Sequence, residues 1–376
     1  HLDRLPQSWK TPRLRLRLSL DAKTVTIRGM AKTPVAIVGP TGYTGLFLID
    51  WLLRHPAVEI AYLASRRDPP PDIAEIFPRL LGRLSEKRSI CRPIDPDAIA
   101  REAEVVFLCL PHKAAMEQAP ALIDAGLRVI DLSADYRIRS AEQYEMIYAT
   151  PHVDTTNLAQ AAYGLPELFR EDLAGAMLIA NPGCYPTAAA LAVAPLLQRE
   201  LVKPDRVLVN AASGVTGAGR SPKQMLHYPE QNESFHAYGE IGGHRHQPEI
   251  TQTLATVAEQ EVGVLFVPHL LPLDQGILET IYLDPASESV TEEDLFDAYE
   301  EAYADEPFVR VRNELPNVKH VRDTNFCDVT VRRVEVGGRA QVVAFSAIDN
   351  MVKGASGQAI QNLNAMLEID ETMGLL

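Results

Sequence analysis

The sequence predicts an α/β protein whose first domain holds a parallel sheet and whose second domain holds a mixed or antiparallel sheet. Strand-like and helix-like segments alternate over the first half of the chain, as expected for parallel strands with helices on both faces. A glycine-rich turn joins the first strand to the first helix. From about Val207 onward, strand-like runs follow one another with only a few helices, which predicts an α+β second domain.

Length and composition exclude several classes of protein. The 376 residues suit two or three domains, and the 46% of hydrophobic and 23% of charged residues are typical of a globular chain rather than a disordered one. No apolar run approaches ~18 residues, so we expect no membrane span or membrane partner. The net charge of −14 argues against a nucleic-acid partner, because such proteins need basic surface to displace counterions.

The cysteine pattern indicates a reducing compartment. Four cysteines in a chain of this length do not form a disulfide framework, and the absence of a CxxC pair makes a zinc ribbon unlikely. Cys109 and Cys327 lie in apolar or strand-like runs, where we expect core positions, and Cys91 lies in a polar loop region. We therefore expect a cytoplasmic enzyme without a metal ion.

Residues 1–30 differ in character from the rest of the chain. They contain seven basic and two acidic residues, and Met30 comes just before the first convincing strand. We expect an extension outside the fold, with Met30 as the true initiator. A targeting peptide and a β-ribbon over residues 13–20 are the alternatives, and no function is assigned to this segment.

Hydrophobic periodicity and turn residues predict the elements of each domain. In the first domain we expect helices at 46–53 and 112–125, a surface turn at 67–71, and strands at 34–38, 58–64, 105–110 and 128–132. In the second half of the chain we expect a helix from 188 to 197, strands at 207–211, 262–268, 278–283, 327–334 and 341–348, and a last helix at 350–367.

The turn after the first strand has the spacing of a nucleotide-binding loop. Gly39, Gly42 and Gly45 form a GxxGxxG pattern between a strand and a helix. Such a turn lets backbone N–H groups approach a pyrophosphate closely, and the positive end of the helix dipole favours the anion. We expect a Rossmann-type dinucleotide site that includes Thr41 and Tyr43. The alternative is a tight turn that only connects strand to helix.

The end of the second strand indicates which dinucleotide binds. An NAD site usually has an acidic residue there to hold the ribose 2′-hydroxyl. Here Ser65, Arg66 and Arg67 follow the strand, and a hydroxyl with two guanidinium groups suits a 2′-phosphate. We therefore expect NADP(H) as the cofactor. The alternative is that one or both arginines are only solvated.

Cys184 is the cysteine whose neighbouring residues indicate a reactive thiol. It lies in Asn-Pro-Gly-Cys-Tyr-Pro-Thr, and Pro186 suits the first turn of the helix predicted after it. At a helix N-terminus the dipole favours a thiolate, so we expect a lowered pKa for this thiol and a nucleophilic role. A buried, unreactive cysteine is the alternative.

Two histidines could exchange protons with such a thiol. His244 and His246 flank Arg245 just before a predicted helix. If residues 243–246 are extended, both imidazoles point to one face, and either could act as the acid or base for Cys184. A structural pair is the alternative. A metal pair is disfavoured, because no clustered carboxylates accompany the histidines.

A second glycine-rich turn follows a strand of the second domain. It includes Ser213, Gly214, Gly217 and Arg220, whose backbone N–H groups and guanidinium could hold a phosphate or carboxylate. Alone this motif is weak, because glycine-rich loops are common.

Taken together, these motifs resemble the N-acetyl-γ-glutamyl-phosphate reductases, a family of NADPH-dependent enzymes of arginine biosynthesis. The resemblance runs from about Val35 to Leu367. Its motifs are VAIVGPTGYTG (35–45), FLCLPHKAA (107–115), DLSADYR (131–137), YGLPEL (163–168), NPGCYPTAA (181–189), SGVTGAGR (213–220), HRHQPEI (244–250) and DNMVKGASGQAIQNLN (349–364). The related aspartate-semialdehyde dehydrogenases share the general plan but lack NPGCYPT and HRHQPEI.

The resemblance implies a fold similar to the glyceraldehyde-phosphate dehydrogenase group. On that plan, residues 31–175 together with 350–376 form a Rossmann-type NADP-binding domain. Residues 176–349 form an α+β catalytic and dimerisation domain. The resemblance also implies assembly as a homodimer or homotetramer through this second domain.

The resemblance implies an activity as well. It is the reductive dephosphorylation of N-acetyl-γ-glutamyl phosphate to N-acetylglutamate 5-semialdehyde through a thioester on Cys184, with a histidine of 244–246 moving the proton. An alternative substrate is a related acyl phosphate such as N-acetyl-α-aminoadipyl phosphate. A different class of function is a redox-sensing NADP-binding protein in which Cys184 is regulatory.

Further site residues are implied only by the resemblance. Asn350, Lys353 and Gly354 would lie near the nicotinamide, and Pro111 would also contact the cofactor. The residues that would line or support the substrate cleft are Ser133, Asp135, Arg137, Tyr163, Glu167, Arg220 and Tyr238.

Two positions depart from the family pattern. Gln275 stands where an arginine is usual, and this removes a possible anion contact with the substrate. Asp323 stands where glycine is frequent.

Overall fold

The computed structural model describes residues 32–376, so the predictions for residues 1–30 lie outside the described residues. Two sheets organise the described part of the chain, one with six strands and one with seven. None of the helices in this part of the chain is long and apolar enough to cross a membrane.

The six-stranded sheet is parallel throughout, as the alternation of strands and helices predicted. Its strands are β1 (Thr33–Val38), β2 (Val58–Ala64), β3 (Val105–Leu108), β4 (Arg128–Asp131), β5 (Ala162–Tyr163) and β6 (Leu178–Ala180). Their spatial order is β2-β1-β3-β4-β6-β5, so the order reverses between β1 and β3. Ligands of such sheets bind outside the carboxyl ends of the strands at this reversal.

Short helices connect these strands. They are α1 (Tyr43–Leu52), α2 (Ile73–Ile76), α3 (Glu86–Ser89), α4 (Pro96–Ala100), α5 (Ala115–Asp124), α6 (Ala141–Tyr148), α7 (Thr155–Leu158) and α8 (Pro166–Phe169). The helix predicted at 112–125 begins later, at Ala115. The N–H groups of Lys113, Ala115 and Met116 donate to the Asp135 carboxylate at 2.8 to 3.1 Å, and this interaction fixes the start of α5.

The seven-stranded sheet is mixed, as the sequence predicted. Its strands are β7 (Val202–Ser213), β8 (His236–Ala237), β9 (Val264–Leu270), β10 (Ile277–Pro285), β11 (Val309–Val311), β12 (Cys327–Val336) and β13 (Arg339–Ile348). The spatial order is β11-β12-β13-β10-β7-β9-β8. The β7–β9 and β11–β12 pairs are parallel, and the other pairs are antiparallel.

A long buried helix packs on this sheet and places Cys184. The helices of this half are α9 (Cys184–Gln198), α10 (Tyr228–Gln231), α11 (His246–Ala258), α12 (Glu292–Tyr303) and α13 (Val318–Val321). All residues of α9 from 185 to 197 are buried, and five of the seven at 188–194 are alanines, whose short side chains allow the helix to lie close to the strands. Because α9 cannot shift in this packing, the position of its first residue, Cys184, is fixed.

The last helix differs from its prediction. Residues 350–367 do not form one helix, because a π-helical turn at Val352–Ser356 precedes α14 (Gly357–Met366). Apolar side chains of α14 share a buried cluster with those of α1, including Ile360 with Leu48. The C-terminal segment therefore lies against the parallel sheet after the chain has completed the mixed sheet.

Candidate active site

Cys184 lies where two cavities meet. One cavity, of about 340 Å³ and called the inner pocket below, lies against the mixed sheet. The other, of about 450 Å³ and called the long groove, runs past the glycine turn after β1. The residues that line both are Cys184, Gly217, Ala218, Lys223, Arg245 and His246. A group that reacts at Cys184 can therefore extend into both cavities.

The Cys184 thiol is not the ready thiolate that its position at a helix N-terminus predicted. Part of its surface faces the two cavities, yet enclosure by protein raises its pKa to about 11. The Arg137 guanidinium and the Tyr185 backbone N–H lower the pKa, but loss of hydration has the larger effect. The prediction of a lowered pKa is therefore wrong for the ligand-free protein.

Two glycines are required next to the cysteine. A Cβ added at Gly183 would lie 2.8 Å from His246 Nε2 and 3.0 Å from an Arg137 nitrogen. A Cβ added at Gly354 would lie 2.7 Å from the Cβ of Cys184. These distances are too short for real side chains, so glycine at both positions lets the imidazole and the C-terminal turn approach Cys184.

The two histidines come together, but not on an extended segment. Residues 241–243 and 245 lie in turns, and His246 is the first residue of α11, so the extended conformation considered for residues 243–246 is not the one observed. The ring centroids lie 5.1 Å apart, and the His246 N–H donates to His244 Nδ1 at 3.2 Å. His246 lines both cavities, whereas His244 lines the inner pocket.

Burial keeps both imidazoles neutral. It holds the pKa of His246 well below the usual range, and the charge of Arg245 adds to this effect. It lowers the pKa of His244 to about 4, again with a contribution from Arg245. His246 Nδ1 is buried and has no hydrogen-bond partner among the described residues. At neutral pH both rings are therefore unprotonated.

Glu249, which is not among the site residues predicted from the sequence, organises the backbone around the cysteine. Its carboxylate accepts the Gly183 N–H at 2.8 Å and the Tyr163 hydroxyl at 2.9 Å, and it lies 3.6 Å from Arg137. The sequence feature that could have identified Glu249 is its position in HRHQPEI, one helical turn after His246.

The glycine turn after β1 has the features of an anion site. Gly39 adopts a φ of +81°, and a Cβ there would lie 2.7 Å from the Cys109 carbonyl oxygen. Gly42 precedes α1, no described side chain caps the first turn of that helix, and its N–H groups and dipole are free to face an anion. Gly42, Tyr43 and Gly45 line the long groove. These donors fit the pyrophosphate of a dinucleotide.

Ser65, Arg66 and Arg67 follow β2 at the same edge of the sheet. They do not line the long groove, but the Gly39 N–H donates to the Ala64 carbonyl at 2.9 Å and so joins the two loops. Arg66 pairs with the exposed Glu117 at 3.1 Å, and Ser65 accepts the Arg67 N–H at 3.2 Å. Both guanidinium groups remain exposed.

The C-terminal residues are divided between the groove and the interior. Asn350 and Gly354 line the long groove together with Pro111. Lys353 does not, because its fully buried ammonium lies 2.5 Å from the carboxylate of Glu167. Neither member of this ion pair lines the inner pocket or the long groove, so Lys353 is not placed to contact a nicotinamide in the groove, and Glu167 does not line the substrate cleft itself.

The residues expected near the substrate occupy three different places. Ser213, Gly214, Gly217 and Tyr238 line the inner pocket. Ser133 and Arg137 line the long groove beside Cys184. Asp135 lines neither cavity, because it is fully buried at the start of α5 and also accepts the Tyr144 hydroxyl at 2.7 Å.

Arg220 lies in the long groove and not in the inner pocket. It donates to the Thr41 carbonyl at 3.2 Å, and its guanidinium lies 4.8 Å from the centre of the Phe77 ring. The second glycine turn thus reaches the first one, so an anion held by Arg220 would lie beside the nucleotide turn.

Both departures from the family pattern meet at one carboxylate. Gln275 Nε2 lies 3.3 and 3.4 Å from the two oxygens of Asp349, and the Asp323 N–H donates to the same side chain at 2.7 Å. Gln275 lines neither cavity, so the glutamine itself makes no direct contact with a ligand there. Asp323 has a φ of +57°, the left-handed region in which glycine is also favoured.

Three cationic or titratable residues of the site were not predicted from the sequence. Lys223 and Arg245 line both cavities, and His112 lines the groove with its pKa lowered to about 3, chiefly by burial. Their motifs gave no chemical signal, because one basic residue in a loop is usually solvated. Within residues 32–376, no three His, Cys, Asp or Glu side chains are grouped so as to hold a metal ion.

Two family models match the chain. The model described as semialdehyde dehydrogenase, NAD binding domain, matches residues 34–176. The model described as semialdehyde dehydrogenase, dimerisation domain, matches residues 184–350.

The chain is also similar to solved structures. The aspartate semialdehyde dehydrogenase II of Vibrio cholerae, complexed with ASA, has a TM-score of 0.67 at 15% identity, over 90% of this chain and 99% of that chain. The aspartate semialdehyde dehydrogenase with NADP from Candida albicans has a TM-score of 0.67 at 18% identity, over 91% of this chain and all of that one. At such identities the similarity establishes the fold alone.

Curated relatives are much more similar in sequence, and all three named here are N-acetyl-gamma-glutamyl-phosphate reductases. The protein of Citrifermentans bemidjiense is 48% identical over 91% of this chain and 97% of its own length. The proteins of Symbiobacterium thermophilum and Rhodopirellula baltica are 46% and 43% identical over 91% of this chain, and over 97% and 98% of their own lengths. Since these relatives are 43–48% identical over 91% of the chain and nearly all of their own lengths, the chain belongs to the N-acetyl-gamma-glutamyl-phosphate reductase family.

Proposed function

We propose that the protein reduces N-acetyl-γ-glutamyl phosphate with NADPH to N-acetylglutamate 5-semialdehyde and phosphate, as an enzyme of arginine biosynthesis. One observation carries the proposal: Cys184 lies at the junction of a pocket that can take an acyl group and a groove with the donors of a dinucleotide site. The relative of Citrifermentans bemidjiense at 48% identity supports the glutamyl substrate. The alternative, N-acetyl-α-aminoadipyl phosphate, is not favoured, because these relatives carry the glutamyl name.

In the first step, His246 accepts the thiol proton of Cys184, and the sulfur attacks the acyl carbon. A C–S bond forms, the acyl C–O bond breaks, and phosphate leaves, so the acyl group is held as a thioester. His246 is the better candidate of the two histidines, because its Nε2 lies beside Gly183 and its ring borders both cavities. The lowered pKa of His246 leaves the imidazole unprotonated, and an anionic phosphate beside it would stabilise the imidazolium that forms.

Charges around the junction suit the leaving group. Lys223 and Arg245 line both cavities next to Cys184, and we assign the phosphate of the substrate to them. The Tyr185 N–H faces the thiol at the start of α9, where it can stabilise negative charge on the sulfur or on the adjacent carbonyl oxygen.

When bound in the long groove, NADPH supplies the hydride that reduces the thioester carbonyl to the aldehyde. The chain's own residues hold this carbonyl at Cys184 and manage the proton. As the C–S bond breaks, His246 returns its proton to the sulfur, which restores the neutral pair. Overall one proton is taken up from solvent and leaves with the phosphate.

We assign NADP rather than NAD as the cofactor. Ser65, Arg66 and Arg67 lie at the end of β2 without a carboxylate among them, which supports binding of a 2′-phosphate. The exposed pair between Arg66 and Glu117 is a weak interaction, so a phosphate can replace it.

We further propose a homodimer or homotetramer that works in the cytoplasm. The match to a dimerisation domain over residues 184–350 supports assembly through the mixed sheet. All four cysteines are free, which is typical of a reducing compartment.

The test is the reverse reaction, in which semialdehyde, phosphate and NADP yield acyl phosphate and NADPH. We expect kcat/KM for N-acetylglutamate 5-semialdehyde to exceed that for the aminoadipate homologue by ~10-fold or more, because one methylene changes pocket contacts by that amount. NADP should be preferred to NAD, and Cys184→Ser should be inactive. Turnover without phosphate, or an equal rate with Cys184→Ser, would contradict the proposal.

A further inference from the structure

The wall next to Cys184 is the π-helical turn at Val352–Ser356. The Gly354 N–H donates to the Asp349 carbonyl at 2.9 Å, and the Ser356 N–H donates to the Met351 carbonyl at 3.0 Å, each five residues back. Single π turns are rare and are frequent at functional sites. Here the turn brings the backbone of Gly354 against the side chain of the cysteine. A small displacement of the turn would therefore open space beside the thiol.

Lys353 anchors this turn from the interior side. Its ammonium lies 2.5 Å from Glu167 Oε1 and 2.7 Å from Gln361 Oε1. Gln361 Nε2 donates to the same Glu167 oxygen at 3.0 Å, so the three side chains form a closed triangle. Glu167 belongs to α8 and Gln361 to α14, and both side chains are completely buried. The triangle thus ties the π turn to two helices.

A second link joins the same turn to the cysteine loop. Asn181 Nδ2 donates to the Ala355 carbonyl at 3.1 Å, and Asn362 Nδ2 donates to Asn181 Oδ1 at 2.9 Å. Asn181 lies three residues before Cys184 on the segment that leads into α9. The position of the turn and the position of the nucleophile are therefore coupled through backbone and amide contacts.

We propose that Lys353, through its buried ion pair with Glu167, is a positioning residue that holds the π turn against Cys184. The reaction needs no charge at this place, since neither member of the pair lines a cavity. A buried ion pair contributes little net stability compared with apolar side chains of similar size, whereas removal of one partner is costly. The pair is therefore better explained by the geometry that it fixes. The kinetic part of this inference rests on the proposed function.

The main test is the double variant Lys353→Met/Glu167→Met, which replaces the ion pair by apolar side chains of similar length and is expected to fold. Gln361 keeps its contacts with Asn325 and Glu371, at 2.9 Å each. A second variant, Gln361→Leu, keeps the ion pair and removes the amide that closes the triangle. Lys203→Met, on the exposed side of β7, is the matched control for loss of a lysine.

In the double variant, the rate of Cys184 alkylation should rise and kcat should fall. Alkylation of Cys184 by iodoacetamide should be ~5-fold or more faster in the double variant, because a loosened turn rehydrates the thiol and lowers its pKa. The kcat should fall by ~10-fold or more, because the thioester carbonyl is no longer held in the orientation that hydride transfer requires. KM for the acyl phosphate should stay within ~3-fold, because residues 350–356 do not line the inner pocket. Gln361→Leu should show the same pattern to a smaller degree.

The alkylation readout also separates this inference from the proposed function. An inactive wild-type protein would contradict the proposed function alone, because the alkylation rates would still test the position of the turn. A folded double variant with wild-type alkylation and wild-type kcat would overturn the inference. Failure of both the double variant and Gln361→Leu to fold would overturn it too, because the triangle would then be needed for overall stability rather than for position.

Discussion

Cys184 and His246 are both neutral before substrate binds, because burial raises the pKa of the thiol to about 11 and holds that of the imidazole well below its usual range. An anionic phosphate next to His246 would stabilise the imidazolium, and Arg137 with the Tyr185 N–H would stabilise the thiolate. We therefore infer that binding of the acyl phosphate completes the activation of the nucleophile. Such a site keeps its thiol unreactive when it is empty.

The two histidines should differ in their effect on catalysis. His246→Asn should lower kcat by ~100-fold or more, because a proton acceptor next to the thiol is lost. His244→Asn should lower it by ~10-fold or less, because His244 acts on the site through its contact with the His246 N–H. Steady-state rates of both variants give the comparison. His320→Asn, at an exposed position, is the matched control, and a larger effect of His244→Asn would contradict the assignment.

At the scale of elements, the sheet under α9 contains an unusual residue. Glu279 of β10 shares the face of Ile277 and Ile281, which pack in the apolar cluster with α9. Both carboxylate oxygens are buried without a hydrogen-bond partner among the described residues, and its cross-strand neighbour Ser346 also has an unpaired hydroxyl. Burial raises the pKa of Glu279 well above its usual value, so this side chain is a neutral acid in the folded protein.

Glu279 should make stability decrease as the pH rises. Its folded pKa lies above its unfolded pKa, so the contribution to stability is full below the unfolded value and is lost as the pH rises toward the folded one. Between these values, the free energy of unfolding of wild type relative to Glu279→Gln should fall by ~1.4 kcal/mol per pH unit. Urea unfolding from about pH 5 to pH 8 measures this slope. A difference that does not change with pH would contradict it, and the exposed Glu335→Gln is the control.

At the scale of the whole molecule, local pattern predicted the elements but not their long-range contacts. The parallel strands, the glycine turn and Cys184 at the start of α9 could be predicted, because periodicity and turn residues act over a few positions. The Lys353–Glu167 pair could not be predicted, because its members lie 186 residues apart. The raised pKa of Cys184 could not be predicted from local pattern either, since it depends on enclosure by segments that are distant in the sequence.

The division of the site between two cavities explains why its residues come from distant segments. The inner pocket is lined from the mixed sheet and its loops, and the long groove is lined from both halves of the chain. In the proposed mechanism, Cys184 receives the acyl group from the inner pocket, and the carbonyl carbon of the thioester receives the hydride from the long groove. The proposed mechanism therefore holds the acyl intermediate on the cysteine between its two half-reactions.

Trapping that intermediate tests the central claim most directly. The enzyme is mixed with N-acetyl-γ-glutamyl phosphate in the absence of NADPH, quenched in acid, digested and examined by mass spectrometry. We predict one N-acetylglutamyl group on the peptide that contains Cys184, lost on treatment with hydroxylamine and on addition of NADPH before the quench. Productive turnover by an enzyme that never carries an acyl group on Cys184, or that carries it on another residue, would contradict the account.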